Sequence, residues 1–294
     1  MKTLRIAFDD FWGGWNPELN YFTALLKQKY KVIVDQKNPD LAFYSVFGSS
    51  NSHRECRKIF FTGENRPPRD DLHTVLNFTF TPSADYNNYR FPLWVLYIDW
   101  FNIGTDGAMN PEHIIPFHEL SYEKDEEDWE LFKNSQKNKL AAFCGNSAGP
   151  RQKLLPELVK RNLVDSYGAF ANNVGGRLGG TEWTKIAKMC EYRFSLCAEN
   201  AIADGYVTEK LFHGLYAHTI PFYIGDTEAI LDFNLNAFIF LDANVQNNLH
   251  TIEDCLSADV DSFKDQFMST MFRNNKIAEE LMPDAVLAKI EEIL

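Results

Sequence analysis

Apolar residues open the chain as a short run, LRIAF (residues 4–8), then recur at helical spacing through PELNYFTALLKQKY (17–30), then form a second run, KVIVD (31–35). An unbroken apolar run suits a strand covered on both faces, whereas the spaced stretch suits an amphipathic helix with Pro17 in its first turn. The opening therefore predicts a βαβ unit. Runs in LAFYSVFG (41–48), RKIFFTGEN (57–65) and HTVLNFTFTP (73–82) predict further strands. From about residue 101 to 138 the periodicity lapses into the acidic EKDEEDWELF and the polar KNSQKNK, which reads as a connection between domains. LAAFCG (140–145) then restarts the pattern as a strand, followed by a helix in RQKLLPELVKR (151–161), a strand and turn in VDSYG (164–168), and a helix in WTKIAKMCEY (183–192). The stretch FSLCAENAIADGYVTEKLFHGLYAHTIPFYIGD (194–226) reads as strand, loop, helix and strand. AFIFLD (237–242) is a late strand, and DSFKDQFMSTMF (261–272) and AVLAKIEEIL (285–294) are terminal helices.

Strands alternating with helices and short polar connections make the fold class α/β, with two Rossmann-like doubly wound domains, residues 1–136 and 137–294, facing a cleft. Ligands of such sheets bind beyond the carboxyl ends of the strands. A length of 294 residues suits two cores, and 45% hydrophobic with 24% charged residues is an ordinary globular balance that needs no metal or disulfide staple. The net charge of −12 argues against nucleic-acid partners and broad binding to anionic membranes, so an anionic ligand must meet a local cationic site. Five cysteines without a CxxC pair read as reduced, mostly buried thiols. No signal-peptide layout and no spanning apolar run is evident, so the expected location is the cytoplasm, with peripheral attachment at the inner membrane and the oligomeric state left open.

In the 194–226 stretch the helix should begin near residues 206–208, aiming free backbone N–H groups at the end of the preceding strand, where an anion finds partial positive charge. Lys210 in that first turn could reach a phosphate oxygen. The same residues also describe a plain capped helix, with Thr208 as cap, Glu209 offsetting the dipole and Lys210 solvated. CGNSAGPRQKLL repeats the layout: Gly145, Asn146, Ser147 and Gly149 form a turn of mostly small residues, and Arg151 opens a helix where it could clamp a pyrophosphate or simply face water. Two such turns in one domain favour a nucleotide. In the first domain Glu64 ends a strand inside FTGENRPP, where a carboxylate could serve as general base for a sugar hydroxyl or pair with Arg66 or Arg69. Trp12 and Trp15 supply flat surface for a sugar or for loop packing. His213 and His218 are too splayed to share a metal, and Asp259 and Asp261 form an Asp-x-Asp in a polar stretch that reads as solvated, so no metal site is expected. Asp9 and Asp10 resemble the acidic start of a phosphoacceptor receiver domain, but nothing later completes one.

The 194–226 stretch resembles the signature of the α1,3/1,4-fucosyltransferases of glycosyltransferase family 10, in which Phe-x-Leu-x-x-Glu-Asn leads to Tyr-Val-Thr-Glu-Lys. FTGENRPP (61–68), NFTFTPSADYNNYRFP (77–92) and FWGGW (11–15) add to the likeness, which runs in order from residue 4 to about 242. Ala198 stands where an aromatic often precedes the Glu, and AIADG varies between members. The resemblance implies a GT-B architecture and metal-independent, inverting transfer of fucose from GDP-β-L-fucose to a GlcNAc hydroxyl, α1,3 or α1,4, of N-acetyllactosamine or Lewis-type glycans. It implies Glu64 as general base, Arg151 and Lys210 as pyrophosphate ligands, Tyr206 and Glu209 at the ribose or base, and Glu199 and Asn200 at the donor sugar. Asn146 joins the donor site, and Trp12, Trp15 and Asn65 join the acceptor site. No cofactor is implied; the partners are GDP-fucose and a GlcNAc-containing oligosaccharide. The alternatives are a transferase for another nucleotide sugar and a non-catalytic nucleotide- or glycan-binding protein.

Overall fold

A computed structural model describes residues 1–102, 115–134, 136–227 and 229–294. Packing divides them into two compact units, Met1–Glu119 with Ile277–Leu294, and Leu120–Lys276.

The first unit begins with β1 (Thr3–Asp9), α1 (Tyr21–Lys27) and β2 (Lys31–Val34), the βαβ opening that the apolar pattern predicts. The helix is shorter than its periodic stretch. Asn20 caps it by accepting from Thr23 N at 3.0 Å, and the same amide donates to the carbonyls of Asn16 and Pro17, so the residues before it form a turn and Pro17 lies outside the helix. β3 (Leu41–Tyr44), β4 (Arg57–Phe61), β5 (Thr74–Thr79) and β6 (Asn88–Arg90) complete a parallel sheet ordered β2-β1-β3-β4-β5-β6. Its direction of growth reverses between β1 and β3, which opens a crevice at their carboxyl ends. β7 (Ile98–Asp99) and β8 (Ile115–Pro116) form a separate short pair.

The second unit begins earlier than residue 137. α2 (Glu126–Asn134) lies in the acidic run read as linker, and it buries Trp129 and Phe132 in the second core, the latter 4.4 Å from the Phe267 ring centroid. Two aromatics three residues apart make one apolar stripe, which the surrounding charges conceal. The rest of the stretch read as linker includes residues 103–114 and 135, which lie outside the described residues. β9 (Lys137–Ala142), α3 (Arg151–Lys160), β10 (Val164–Ser166), α4 (Glu182–Met189), β11 (Tyr192–Ala198), α5 (Glu209–Tyr216), β12 (Ile220–Ile224), α6 (Ala229–Asp232) and β13 (Ile239–Phe240) follow in turn. The sheet is parallel, ordered β10-β9-β11-β12-β13, and reverses between β9 and β11. α7 (Val245–Ser257), capped by Asn244, was not evident from the sequence, and the predicted helix near residue 261 shrinks to α8 (Lys264–Phe267) after a 3-10 turn.

The last helix, α9 (Pro283–Glu291), corrects the expected boundary of 137–294. It belongs to the first unit, where Glu291 accepts from Lys29 Nζ at 2.7 Å and Tyr30 OH at 2.9 Å, and Arg57 donates to the terminal carbonyls. The five cysteines are free, and among the described residues no helix is long and apolar enough to cross a membrane.

Candidate functional site

In the second unit two loops leave the carboxyl ends of β9 and β11 at the reversal point, and they touch at Gly149. Its φ is +66°, and a Cβ there would lie 2.5 Å from the carbonyl oxygen of Asn200 and 3.1 Å from that of Glu199. Glycine alone takes this conformation without strain while letting the two backbones approach. α3 then starts at Arg151, whose side chain turns inward and is 2% exposed. Its Nη1 donates to Ala198 O at 3.4 Å and its Nη2 donates to Asn146 Oδ1, an oxygen that also accepts from Ala148 N at 3.0 Å. Its Nε is buried without a partner among the described residues. A buried donor left so costs roughly 1–3 kcal/mol, which an accepting oxygen of a ligand would recover.

Glu199 has no exposed surface. Its carboxylate accepts from Thr208 N at 2.8 Å, Thr208 Oγ1 at 2.7 Å and Lys210 Nζ at 3.0 Å. A charge removed from water persists only when paired and hydrogen-bonded, and this one is both. The simple capped-helix reading is thereby corrected: Thr208 occupies the N-cap position of α5 but makes no side-chain cap bond, and Lys210 is paired rather than solvated. Glu199, which the resemblance puts at the donor sugar, directs both oxygens to Thr208 and Lys210. Tyr206 is buried in the same loop, its N–H donating to Ala203 O at 2.9 Å, while Gly205 N donates to Asp226 at 2.8 Å.

Glu209, the first residue of α5, places Oε1 3.7 Å from both Lys210 Nζ and Lys185 Nζ. Burial alone would push its carboxyl up, but the two ammonium groups outweigh burial and hold it well below the usual carboxylate range. For Lys210 burial would lower the ammonium, and Glu199 and Glu209 instead raise it above its ordinary range. His213 Nδ1 accepts from Lys185 Nζ at 3.2 Å, and burial first, then Lys185, drive this imidazole well below its usual range, so it is neutral. Arg151, Lys185, Glu209 and Lys210 converge on a pocket of about 30 Å³ that Phe143 and Cys144 also line. Burial pushes the neighbouring Cys197 thiol up to about 12, so it stays protonated and donates to Lys210 O at 3.1 Å.

Lys185 escaped the sequence reading. It looks like one of several lysines in a polar helix face, and only the packing of α4 on α5 brings it to Glu209. Its one local signal is Glu182 three residues earlier, with which it pairs at 3.0 Å.

In the first unit Glu64 lies exposed in the loop after β4, anchored through its backbone: its N–H donates to Thr62 Oγ1 at 3.0 Å, and its carbonyl accepts from Arg66 N at 2.6 Å. No ion pair to its carboxylate occurs among the described residues. Arg69, one candidate partner, pairs with Asp71 at 3.7 Å and lies over the Phe60 ring. Asn65 is exposed beside it. Trp12 and Trp15 pack edge to face at 4.9 Å, Trp15 stacks on Phe11 at 4.2 Å, and Trp12 lies 6.4 Å from the ring of Phe61, the last residue of β4. They form a half-buried aromatic wedge at the β1 to β3 reversal point. The acidic pair at the end of β1 has local duties: Asp9 binds Arg54 at 2.7 and 2.9 Å, and Asp10 accepts from the backbone of Ser50 and Asn51. Asp259 and Asp261 also act locally, in a turn and with Lys133.

Residues 6–97 match the model of the N-terminal domain of alpha-(1,3)-fucosyltransferase FucT, and residues 133–271 match the C-terminal model of glycosyltransferase family 10 (fucosyltransferase). The alpha-(1,3)-fucosyltransferase FucT of Helicobacter pylori is 27% identical over 262 residues, 80% of this chain and 53% of that protein. A GDP-fucose protein O-fucosyltransferase 3 of Danio rerio is 25% identical over 209 residues, 62% of this chain and 44% of that one. The chain spans about half the length of these curated relatives. Among solved structures, an alpha1,3-fucosyltransferase superposes with TM-score 0.77 at 21% identity, covering 99% of this chain and 90% of that one. A crystal structure of alpha1,3-fucosyltransferase with GDP-fucose gives 0.73 at 21% identity, covering 100% and 91%. At such identity the likeness is one of fold, that of GT-B proteins with two parallel α/β sheets.

Proposed function

The chain belongs to glycosyltransferase family 10, whose two models match its first and second units in order, and on that footing we propose that it transfers L-fucose from GDP-β-L-fucose to a hydroxyl of a GlcNAc-containing glycan. The reaction is a single inverting displacement at the anomeric carbon. The acceptor oxygen bonds to that carbon and gives its proton to Glu64, while the bond to the β-phosphate oxygen breaks and its electron pair leaves with GDP. Arg151 and Lys210 stabilise the charge that grows on the departing diphosphate, so no divalent ion is needed. Glu209 accepts hydrogen bonds from the nucleotide's ribose, Tyr206 serves the same ribose or base side, and Asn200 serves the donor sugar. Asn146 orients the Arg151 fork. Glu199, without exposed surface, acts by holding Lys210. Trp12 and Trp15, with Asn65, offer the acceptor sugar a flat apolar face.

One observation carries this reading: the two loops at the β9 to β11 reversal meet at Gly149 and bring Arg151 and Lys210 to one pocket. A diphosphate requires several donors in one place, and the local cations supply them within a chain of net charge −12. The test is incubation of the protein with GDP-fucose and either type 1 or type 2 disaccharide, in chelator, with GDP release and product linkage measured. Fucosylated GlcNAc and stoichiometric GDP are expected, and the linkage assigns O3 or O4. Absence of product with both disaccharides, despite GDP-fucose binding, would overturn the acceptor assignment. The partial match to a protein O-fucosyltransferase favours a second reading, a serine or threonine hydroxyl of a polypeptide as acceptor. Transfer to a folded protein substrate but to neither disaccharide would establish it.

A further inference from the structure

We propose that Lys185 is a positioning residue for the donor site, acting through Glu209: it fixes the orientation and the ionised state of that carboxylate so that Glu209 can receive the nucleotide. The inference rests on the reading of Glu209 as a donor contact.

Three observations support it. Lys185 is anchored from two sides before it meets Glu209, donating to Glu182 Oε2 at 3.0 Å and to His213 Nδ1 at 3.2 Å, so its ammonium has a fixed place on the α4 to α5 seam. Lys185 and Lys210 then approach the same oxygen of Glu209, Oε1, each at 3.7 Å. Two ammonium groups converging on one carboxylate restrict its orientation by charge and keep it ionised, which is what an acceptor for ribose hydroxyls requires. Finally, Lys210 is shared: its ammonium also serves Glu199 and Thr208. Without Lys185 the remaining cation would be divided between two carboxylates in a poorly hydrated site, and Glu209 would lose both its second tether and part of the charge that keeps it ionised.

A plain phosphate cation would be a different role, and a double-mutant cycle separates the two. GDP affinity is measured by calorimetry for the wild type, Lys185→Met, Glu209→Gln and the double variant. Lys185→Met is expected to weaken GDP about tenfold in the wild-type background and less than about twofold once Glu209 is Gln, because its effect passes through that carboxylate. Lys185→Arg, which keeps the charge and can span the same partners, should recover most of the affinity. Equal losses in both backgrounds would overturn the proposal, whether Lys185 touches phosphate directly or only supports folding. Thermal midpoints recorded in parallel tell those two apart. If the wild type binds no GDP, the donor reading of the whole site fails, an outcome visible before any variant is made.

Discussion

Lys210 holds its ammonium 3.0 Å from the carboxylate of Glu199, a residue with no exposed surface, while its own side chain is 20% exposed. The pair joins the end of β11 to the start of α5 across the loop that carries Tyr206. Removing the carboxylate would leave a largely enclosed cation facing Thr208 and Glu209, with only partial access to water. Glu199→Ala should cost about 3 kcal/mol, the low end of values for breaking a buried pair because Lys210 retains some solvent. Glu199→Gln, which still accepts from Thr208 N–H, should cost less. Urea denaturation showing a loss below about 1 kcal/mol for the alanine variant would contradict this account.

Lys210→Ala and Arg151→Ala should each weaken GDP binding by about 10–100-fold and lower kcat/KM at least as much, since charge-assisted bonds to phosphate are the strong ones. Arg151→Lys should not restore function, because a lysine cannot reach Ala198 O and Asn146 Oδ1 as a fork. Unchanged GDP affinity in calorimetry would remove either residue from the role.

Glu64→Ala should keep GDP affinity near the wild-type value and lose turnover by about 10²–10⁴-fold, the range for a positioned base. The side chain is exposed, so its removal should not alter the thermal midpoint. Near-normal transfer would sink the assignment.

Two glycines in one loop make a controlled comparison. Gly149→Ala forces a side chain into the left-handed region and against the Asn200 carbonyl, and should cost about 1–3 kcal/mol and weaken GDP. Gly145→Ala meets nothing within 4 Å and should be close to neutral. If both behave alike, the contact between the two loops has no energetic weight.

Stability should fall as pH drops below the ordinary imidazole range. Burial and then Lys185 drive the folded-state pKa of His213 down, and burial and then Lys124 do the same for His218. A base whose folded pKa is depressed contributes stability that is complete above its unfolded pKa, near pH 6.5, and is lost below it as the unfolded chain takes up protons. The slope approaches about 1.4 kcal/mol per pH unit for each imidazole kept neutral. Denaturation between about pH 5 and 7 should show this slope in the wild type and less of it in His213→Asn. An unchanged slope would mean that His213 takes up its proton without unfolding.

Much of this molecule can be read without coordinates because local spacing encodes it. The βαβ opening follows from the apolar run, helical spacing and second run between residues 4 and 35, and the positions of β11, α5 and β12 follow from FSLC, YVTEKLFHGLY and IPFYI. The two loops that meet at the β9 to β11 reversal stand out through Gly149, Arg151 and Lys210. Local spacing failed where the signal was short or shared. α2 buries only Trp129 and Phe132 amid acidic residues, its third apolar residue Leu131 being exposed, and nothing near α9 indicates that it returns to pack beside Lys29 and Tyr30.

The residue pattern by itself determined the α/β class, the order of most elements and which residue types sit at the strand ends. It could not determine which charges meet. Arg151 and Ala198 lie 47 residues apart and touch because β9 and β11 are parallel neighbours. Lys185 reaches Glu209 because α4 packs on α5, and Glu199 binds Lys210 because the loop between them folds back on itself. Helical and strand periodicity is written residue by residue in backbone geometry, whereas charge pairing depends on distances below 4 Å between separate elements, and only tertiary packing sets those.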